Sequence, residues 1–160
     1  KQKTAYEMLR SLVGSEMCIR DRFQTMYAAP GIGLAAPQVG VSRRILVLDP
    51  ARNDEPKQPL AMINPEILRF GEERRVHEEG CLSLPEIYAE IERPASVSVR
   101  YVDGEGHLRE GEFDGIVATI IQHEVDHLDG ILFVDHLSRL KRDLLIRKFY
   151  KARRDSQAAV

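Results

Sequence analysis

The chain has almost no charge of one sign to spare: 23 Lys and Arg stand against 25 Asp and Glu, a formal net charge of −2 over 160 residues. Such a balance supplies no field to draw the whole protein onto nucleic acid or an anionic membrane, so a small molecule or a peptide is the expected partner. Long apolar runs are missing too. No window approaches the ~18 consecutive apolar residues that cross a bilayer, and the first residues lack the apolar core of a secretory signal, which points to a cytoplasmic protein. Cysteine is scarce, with Cys18 and Cys81 alone, and without a secretion signal the pair carries no expectation of a disulfide. What is present is 43% apolar residues in a length typical of one domain, enough for a single core.

Residues 1–22 show neither a sustained helical period nor strand alternation. Glu16-Met17-Cys18-Ile19-Arg20-Asp21-Arg22 looks like the in-frame translation of a transposon-end adapter used in sequencing libraries. Residues 1–22 are therefore read as a non-native or disordered N-terminal segment, 23–154 as one domain and 155–160 as a tail. Phe23, Met26 and Tyr27 share a helical face that Pro30-Gly31 ends.

Ile45-Leu46-Val47-Leu48 and Leu60-Ala61-Met62-Ile63, the latter stopped by Asn64-Pro65, read as short buried strands separated by a polar loop. Val97, Val99 and Tyr101 alternate with Ser98 and Arg100 as a half-buried strand does, and Asp103-Gly104 predicts a hairpin turn. Ile116 to Leu128 is apolar on nearly every side as far as Gln122 and reads as a helix through the core. Ser138 can cap a last helix with Leu140, Leu144, Leu145 and Phe149 inward and a basic face from Arg139 to Arg154 in solvent. The expected fold is α+β: short antiparallel strands packed around a central buried helix, with a C-terminal helix outside.

His123-Glu124-Val125-Asp126-His127 lies on that central helix. At 3.6 residues per turn, imidazoles four apart project toward one point and can grip one ion, while Glu124 can act as a general base on water without being a ligand. A buried helix has little reason to carry two histidines unless they are bound to something. Hydrolytic metals take three protein ligands and keep one position open, so a third ligand is needed. The metzincin pattern puts a histidine where Phe133 stands, and the gluzincin pattern needs a later glutamate, yet none follows Glu124. Asp129 and Asp135 stay open, as does His136 for a closed structural site. Cys81, in Glu79-Gly80-Cys81-Leu82-Ser83, is the better third ligand, a thiolate on a turn between strands. Gly31-Ile32-Gly33-Leu34-Ala35-Ala36-Pro37-Gln38 adds a backbone that can approach a ligand closely and, in Gln38, an uncharged amide suited to an oxyanion.

These three segments, Gly31 to Gln38, Glu79 to Ser83 and Gln122 to His127, resemble the signature motifs of peptide deformylases in order and approximate spacing. The similarity runs from about Met26 to about Arg154, and the segment before Phe23 does not resemble the family's N-terminal strand and loop. The resemblance implies a metal-dependent hydrolase that removes the formyl group from the N-terminal formylmethionine of newly synthesised polypeptides. It implies one divalent ion, natively Fe²⁺, although a Cys/His₂ set also accepts Zn²⁺, Ni²⁺ or Co²⁺. Its ligands would be Cys81, His123 and His127, with Glu124 as acid and base and the Gln38 amide and Leu82 N–H as oxyanion donors. Arg93 would pair with Glu79, and Asp126 would hold the motif in place.

The N-formylmethionyl peptide of the nascent chain is expected to lie extended beside Ile32 and Gly33, with Glu79 and Gly80 along it. Its methionine would enter an apolar pocket that includes Ile116 and Ile120. The basic last helix is a candidate ribosome-surface contact; no membrane partner and no direct nucleic-acid function are expected.

Overall fold

The computed structural model describes residues 19–51 and 55–158. Residues 1–18, which include Cys18 and most of the segment read as non-native, lie outside them. Residues 19–28 form helix α1, followed by strand β1 (Gly33–Ala35), a 3-10 turn (Ala36–Val39) and β2 (Ile45–Leu48). Next come β3 (Leu60–Phe70), β4 (Arg74–Cys81), β5 (Leu84–Pro94), β6 (Ser96–Val102) and β7 (Leu108–Asp114). Helix α2 (Gly115–Leu128), a 3-10 turn (Phe133–His136) and helix α3 (Arg139–Ala158) complete the described chain. The strands form two antiparallel sheets, β1-β2-β3-β6-β7 and the hairpin β4-β5. This is the α+β arrangement expected.

β2 shows no alternation because both of its faces are covered. Leu46 and Leu48 pack with Ile120, Ile121 and Val125 of α2, whereas Val47 turns the other way onto Met26 of α1. The boundary drawn after Arg22 falls inside α1, where Ile19 packs against buried residues and Arg22 is itself buried. β6 alternates as its sequence predicts, with Val97, Val99 and Tyr101 inward.

β3 differs from expectation by running through Asn64-Pro65 instead of stopping there. The register to β6 shifts between Ile63 and Glu66, and Asn64 adopts φ 51°. A bulge thus takes Pro65, which has no N–H to donate, out of the ladder while the strand continues. The β4-β5 hairpin uses a larger irregularity: Gly80 pairs with Tyr88 but Cys81 with Leu84, leaving Pro85, Glu86 and Ile87 without partners on β4. Glu86 takes φ 63° there, and Leu84 and Ile87 turn into an apolar cluster with Ile91, Phe133 and Val134. That packing anchors the end of the hairpin on which Cys81 sits.

Gly115, at φ +55°, lets β7 turn directly into α2. α2 then runs through the core with His123, Glu124 and His127 all buried, and Gln122 Nε2 donates to the carbonyls of Pro94 (3.0 Å) and Ala118 (2.9 Å).

α3 begins as predicted: the Ser138 carbonyl accepts from the Arg142 N–H, and its Oγ lies 3.5 Å from the Lys141 N–H. Its inward face is corrected. Leu145, Ile146 and Phe149 pack on the Leu84–Phe133 cluster, whereas Leu140 and Leu144 are exposed, at 72% and 56%. Only the middle turns meet the core, and at about 100° per residue Leu140 and Leu144 point away from the stripe those three residues define.

Candidate metal centre

Cys81 from the end of β4 meets His123 and His127 from α2, with their ligand atoms all within 4.8 Å of one another. Cys81 Sγ lies 3.1 Å from His127 Nε2, and the two imidazoles stand edge to face with centroids 5.0 Å apart. The competing third ligands are engaged elsewhere. Asp129 pairs with Arg44 at 2.6 Å, Asp135 accepts from the Leu132 N–H and from Arg142, and His136 bonds Asp126 at 2.7 Å. A second acidic group, Asp103, Glu105 and His107, is an exposed hairpin turn whose Asp103 is spent on two backbone N–H groups and Arg109.

The orientation of His123 is set from behind. Glu79 Oε2 lies 2.9 Å from His123 Nδ1, and Arg93 grips the same carboxylate at 2.6 and 3.0 Å. Opposite a carboxylate, Nδ1 carries the proton, which leaves Nε2 for the centre. Arg93 also donates to Asp126 at 2.8 Å. The Arg93–Glu79 pairing implied by the resemblance is therefore present and buried. Glu79 therefore holds the ring of His123 from behind.

The ionisable groups of the site shift one another strongly. Burial pushes the Cys81 thiol up, but hydrogen bonds from His123 and His127 outweigh it and lower the thiol to about 5. Burial lowers the imidazolium of His123, yet its bonds to Cys81 and Glu79 bring it up to about 10. Burial also opposes the Glu79 carboxylate, while His123 and Arg93 hold it below its usual range. Glu124 is shifted the other way, up to about 7, because burial dominates, and its Oε2 is buried with no hydrogen-bond partner. A cysteine sulfur and two imidazoles around one point, with an unpartnered buried carboxyl oxygen on the same helix, suit a single divalent ion of the zinc or first-row type.

The first glycine-rich segment closes the site on its other side. A Cβ on Gly33 would overlap Glu124 Oε1 and lie 2.8 Å from Ile120 Cγ2, and one on Gly31 would lie 2.9 Å from Leu82 Cδ1. Gln38 Oε1 accepts from the Ala35 N–H at 2.8 Å, which turns Nε2 toward Ser83 Oγ (3.1 Å) and Cys81 Sγ (3.6 Å). Ile120 is buried, and Ile116, one turn earlier on the same helix stripe, is half-exposed beside it. Leu82 and Ile32 are likewise half-exposed at 39% and 38%, and the ring of Tyr88 covers Gly80. The Ile32 carbonyl accepts from the Asp49 N–H, which extends the β1–β2 pairing by one residue and leaves the far side of β1 as a sheet edge.

Three contributors were not read from sequence. Ser83 supports both Gln38 and, through its N–H at 3.4 Å, the thiolate. Phe133, considered only as a missing third histidine, stacks on His123 with centroids 6.0 Å apart. His136 belongs to the Asp126 network. The run of apolar residues before Asp135 hinted that this turn is buried, but nothing in the sequence said against what.

A cysteine and two histidines around a shared point, with a neutralisable carboxyl beside them on a buried helix, define a metal-dependent hydrolase. Residues 10–143 match the family model described as polypeptide deformylase, and the chain belongs to that family. It is 58% identical over 132 residues to the peptide deformylase of Rhizobium meliloti (strain 1021), covering 82% of this chain and 76% of that protein. Among solved structures, peptide deformylase from Ehrlichia chaffeensis superposes with TM-score 0.83 at 38% identity, covering 89% of this chain and 84% of that one. The Synechococcus elongatus peptide deformylase in complex with actinonin gives TM-score 0.80 at 45% identity, over 84% of this chain and 74% of that one. The chain is thus a metallohydrolase that acts on the N-formyl group of polypeptides. No helix among the described residues is long and apolar enough to cross a membrane.

Proposed function

We propose that the chain removes the formyl group from N-terminal formylmethionine of nascent polypeptides, with Cys81, His123 and His127 as metal ligands and Glu124 as the proton-transfer group. When bound, the ion supplies Lewis-acid chemistry, acidifying water and polarising the formyl carbonyl. Glu124, shifted to about 7, takes the proton from the attacking water and delivers it to the amine nitrogen as the C–N bond breaks. The products are formate and a free α-amine. The Gln38 amide and the Leu82 backbone N–H donate to the oxyanion that develops. The extended substrate adds to the open edge of β1 at Ile32 and Gly33, passes Gly80, and places its methionine side chain beside Ile116 and Ile120.

The observation that carries this reading is the orientation of Gln38. With Oε1 engaged by the Ala35 N–H, only the donor end of its amide faces Cys81, which suits a developing negative charge and no cationic substrate. Fe²⁺ is the proposed native ion, and the exposed basic residues of α3 are a proposed contact with the ribosome surface in the cytoplasm, which salt-dependent cosedimentation with ribosomes tests. Formate release from a formyl-Met peptide, measured anaerobically with Fe²⁺, Zn²⁺, Ni²⁺ and Co²⁺ in turn, tests the activity and the metal together. Absence of turnover with metal bound would sink the proposal.

A further inference from the structure

The 3-10 turn Phe133–His136 touches the site at both of its ends. Phe133 is 1% exposed and stacks on the ring of His123 at 23° between planes, while His136 Nε2 lies 2.7 Å from Asp126 Oδ2. That same oxygen receives Arg93 NH1 at 2.8 Å, and Arg93 holds both oxygens of Glu79, which in turn holds His123. Five side chains thus form an unbroken line from His136, with 37% of its side chain exposed, to a buried imidazole of the metal set.

We infer that His136 is a positioning residue: it acts through Asp126, Arg93 and Glu79 to keep His123 aimed at the metal. The inference rests on the ligand reading above. Asp126 is the one carboxylate of the line with appreciable exposure, at 17% against 5% for Glu79. Opposed by Arg93 alone, it is free to turn toward water, and Arg93 NH1 then loses its fixed anchor on the side away from Glu79. His136 supplies the second donor that holds Asp126 Oδ2 in place. Its ring can do so without being packed tightly, because it borders a cavity of about 790 Å³ that Arg93, Gln122 and Val125 also line. Groups that orient metal-bound histidines typically change affinity or activity 10–100-fold when removed, and His136 stands three steps further out.

The test compares His136→Phe, which fits the cavity edge but cannot donate, with His136→Gln, whose amide N–H replaces Nε2–H. The metal-loaded proteins are challenged with a chelator to obtain metal dissociation rates, and kcat and KM are measured separately with a formyl-Met peptide. The inference expects roughly 10-fold faster metal loss and lower kcat in His136→Phe at unchanged KM, with His136→Gln close to the parent. Parent-like metal retention in a folded His136→Phe overturns it, and so does a His136→Gln as defective as His136→Phe. A parent protein that binds no metal would instead overturn the ligand reading.

Discussion

Gly33 and Glu124 occupy one space: the absence of a side chain on Gly33 is what lets the Glu124 carboxyl sit beside β1, where a Cβ would overlap Oε1 and crowd Ile120 Cγ2 to 2.8 Å. β1 is an edge strand locked to β2 by Gly33↔Leu48 pairing, so it cannot withdraw. Gly33→Ala should therefore displace the carboxyl rather than the strand. The expected result is a fall in kcat of about 10²-fold, the usual consequence of moving a catalytic group by ~1 Å, with metal content unchanged. Metal analysis beside steady-state kinetics checks it.

Ligand and proton-transfer roles separate cleanly by substitution. Glu124→Gln should keep the metal and lose activity by about 10²–10⁴-fold, the range for a general acid or base. Cys81→Ala should lose the metal, because it removes the anionic member of the set. Tight metal retention by Cys81→Ala in elemental analysis would contradict its ligand role.

Arg93 is 4% exposed and, histidines aside, is the cation that pairs with both Glu79 and Asp126 among the described residues. Replacing it with Leu leaves two carboxylates inside the protein without their shared partner, which costs about 3–5 kcal/mol. For a domain of this size that is roughly a 10 °C fall in Tm. Thermal unfolding of the metal-loaded variant measures it.

Asp49 ties the start of a loop to the first helix: it accepts from the Tyr27 hydroxyl at 2.6 Å and from the N–H groups of Ala51 and Gln58 at 3.0 and 3.1 Å. Burial opposes its charge, but these bonds prevail and hold its pKa below the ordinary carboxylate value. The stability it contributes is therefore complete above about pH 4 and is lost as pH falls through the lowered native value. At the alkaline end, burial and Asp49 push Tyr27 up to about 12, so stability falls as pH rises from the ordinary tyrosine value toward it. Asp49→Asn should be less stable at neutral pH and show a flatter acid limb in urea unfolding followed against pH. An acid limb identical to the parent's would remove Asp49 from the account.

Much of the geometry of the candidate site was legible in sequence because local periodicity carries it. A four-residue histidine spacing has one geometric meaning on a helix, and the alternation of Val97, Val99 and Tyr101 fixes which face of β6 is buried. The failures have a common cause. Leu140 and Leu144 are as apolar as Leu145 and Phe149, so only the place where α3 touches the core separates them. Asn64-Pro65 carries a stop signal, and a bulge that only β6 could reveal overrides it.

By itself the sequence determined the donor chemistry: which side chains are able to hold a metal or move a proton, and that neither a glutamate after Glu124 nor a histidine at position 133 is available. Tertiary structure decided what each donor does. Glu79 and Cys81 lie two residues apart in one strand, yet one is buried behind His123 and the other beside it. His136, a bare histidine before a helix in the sequence, ends a line of charge that begins at the metal set. Residue type follows from the chain alone, but an electrostatic role depends on distance and burial, and those exist only once β4, β5, α2 and the Phe133 turn have closed on one another.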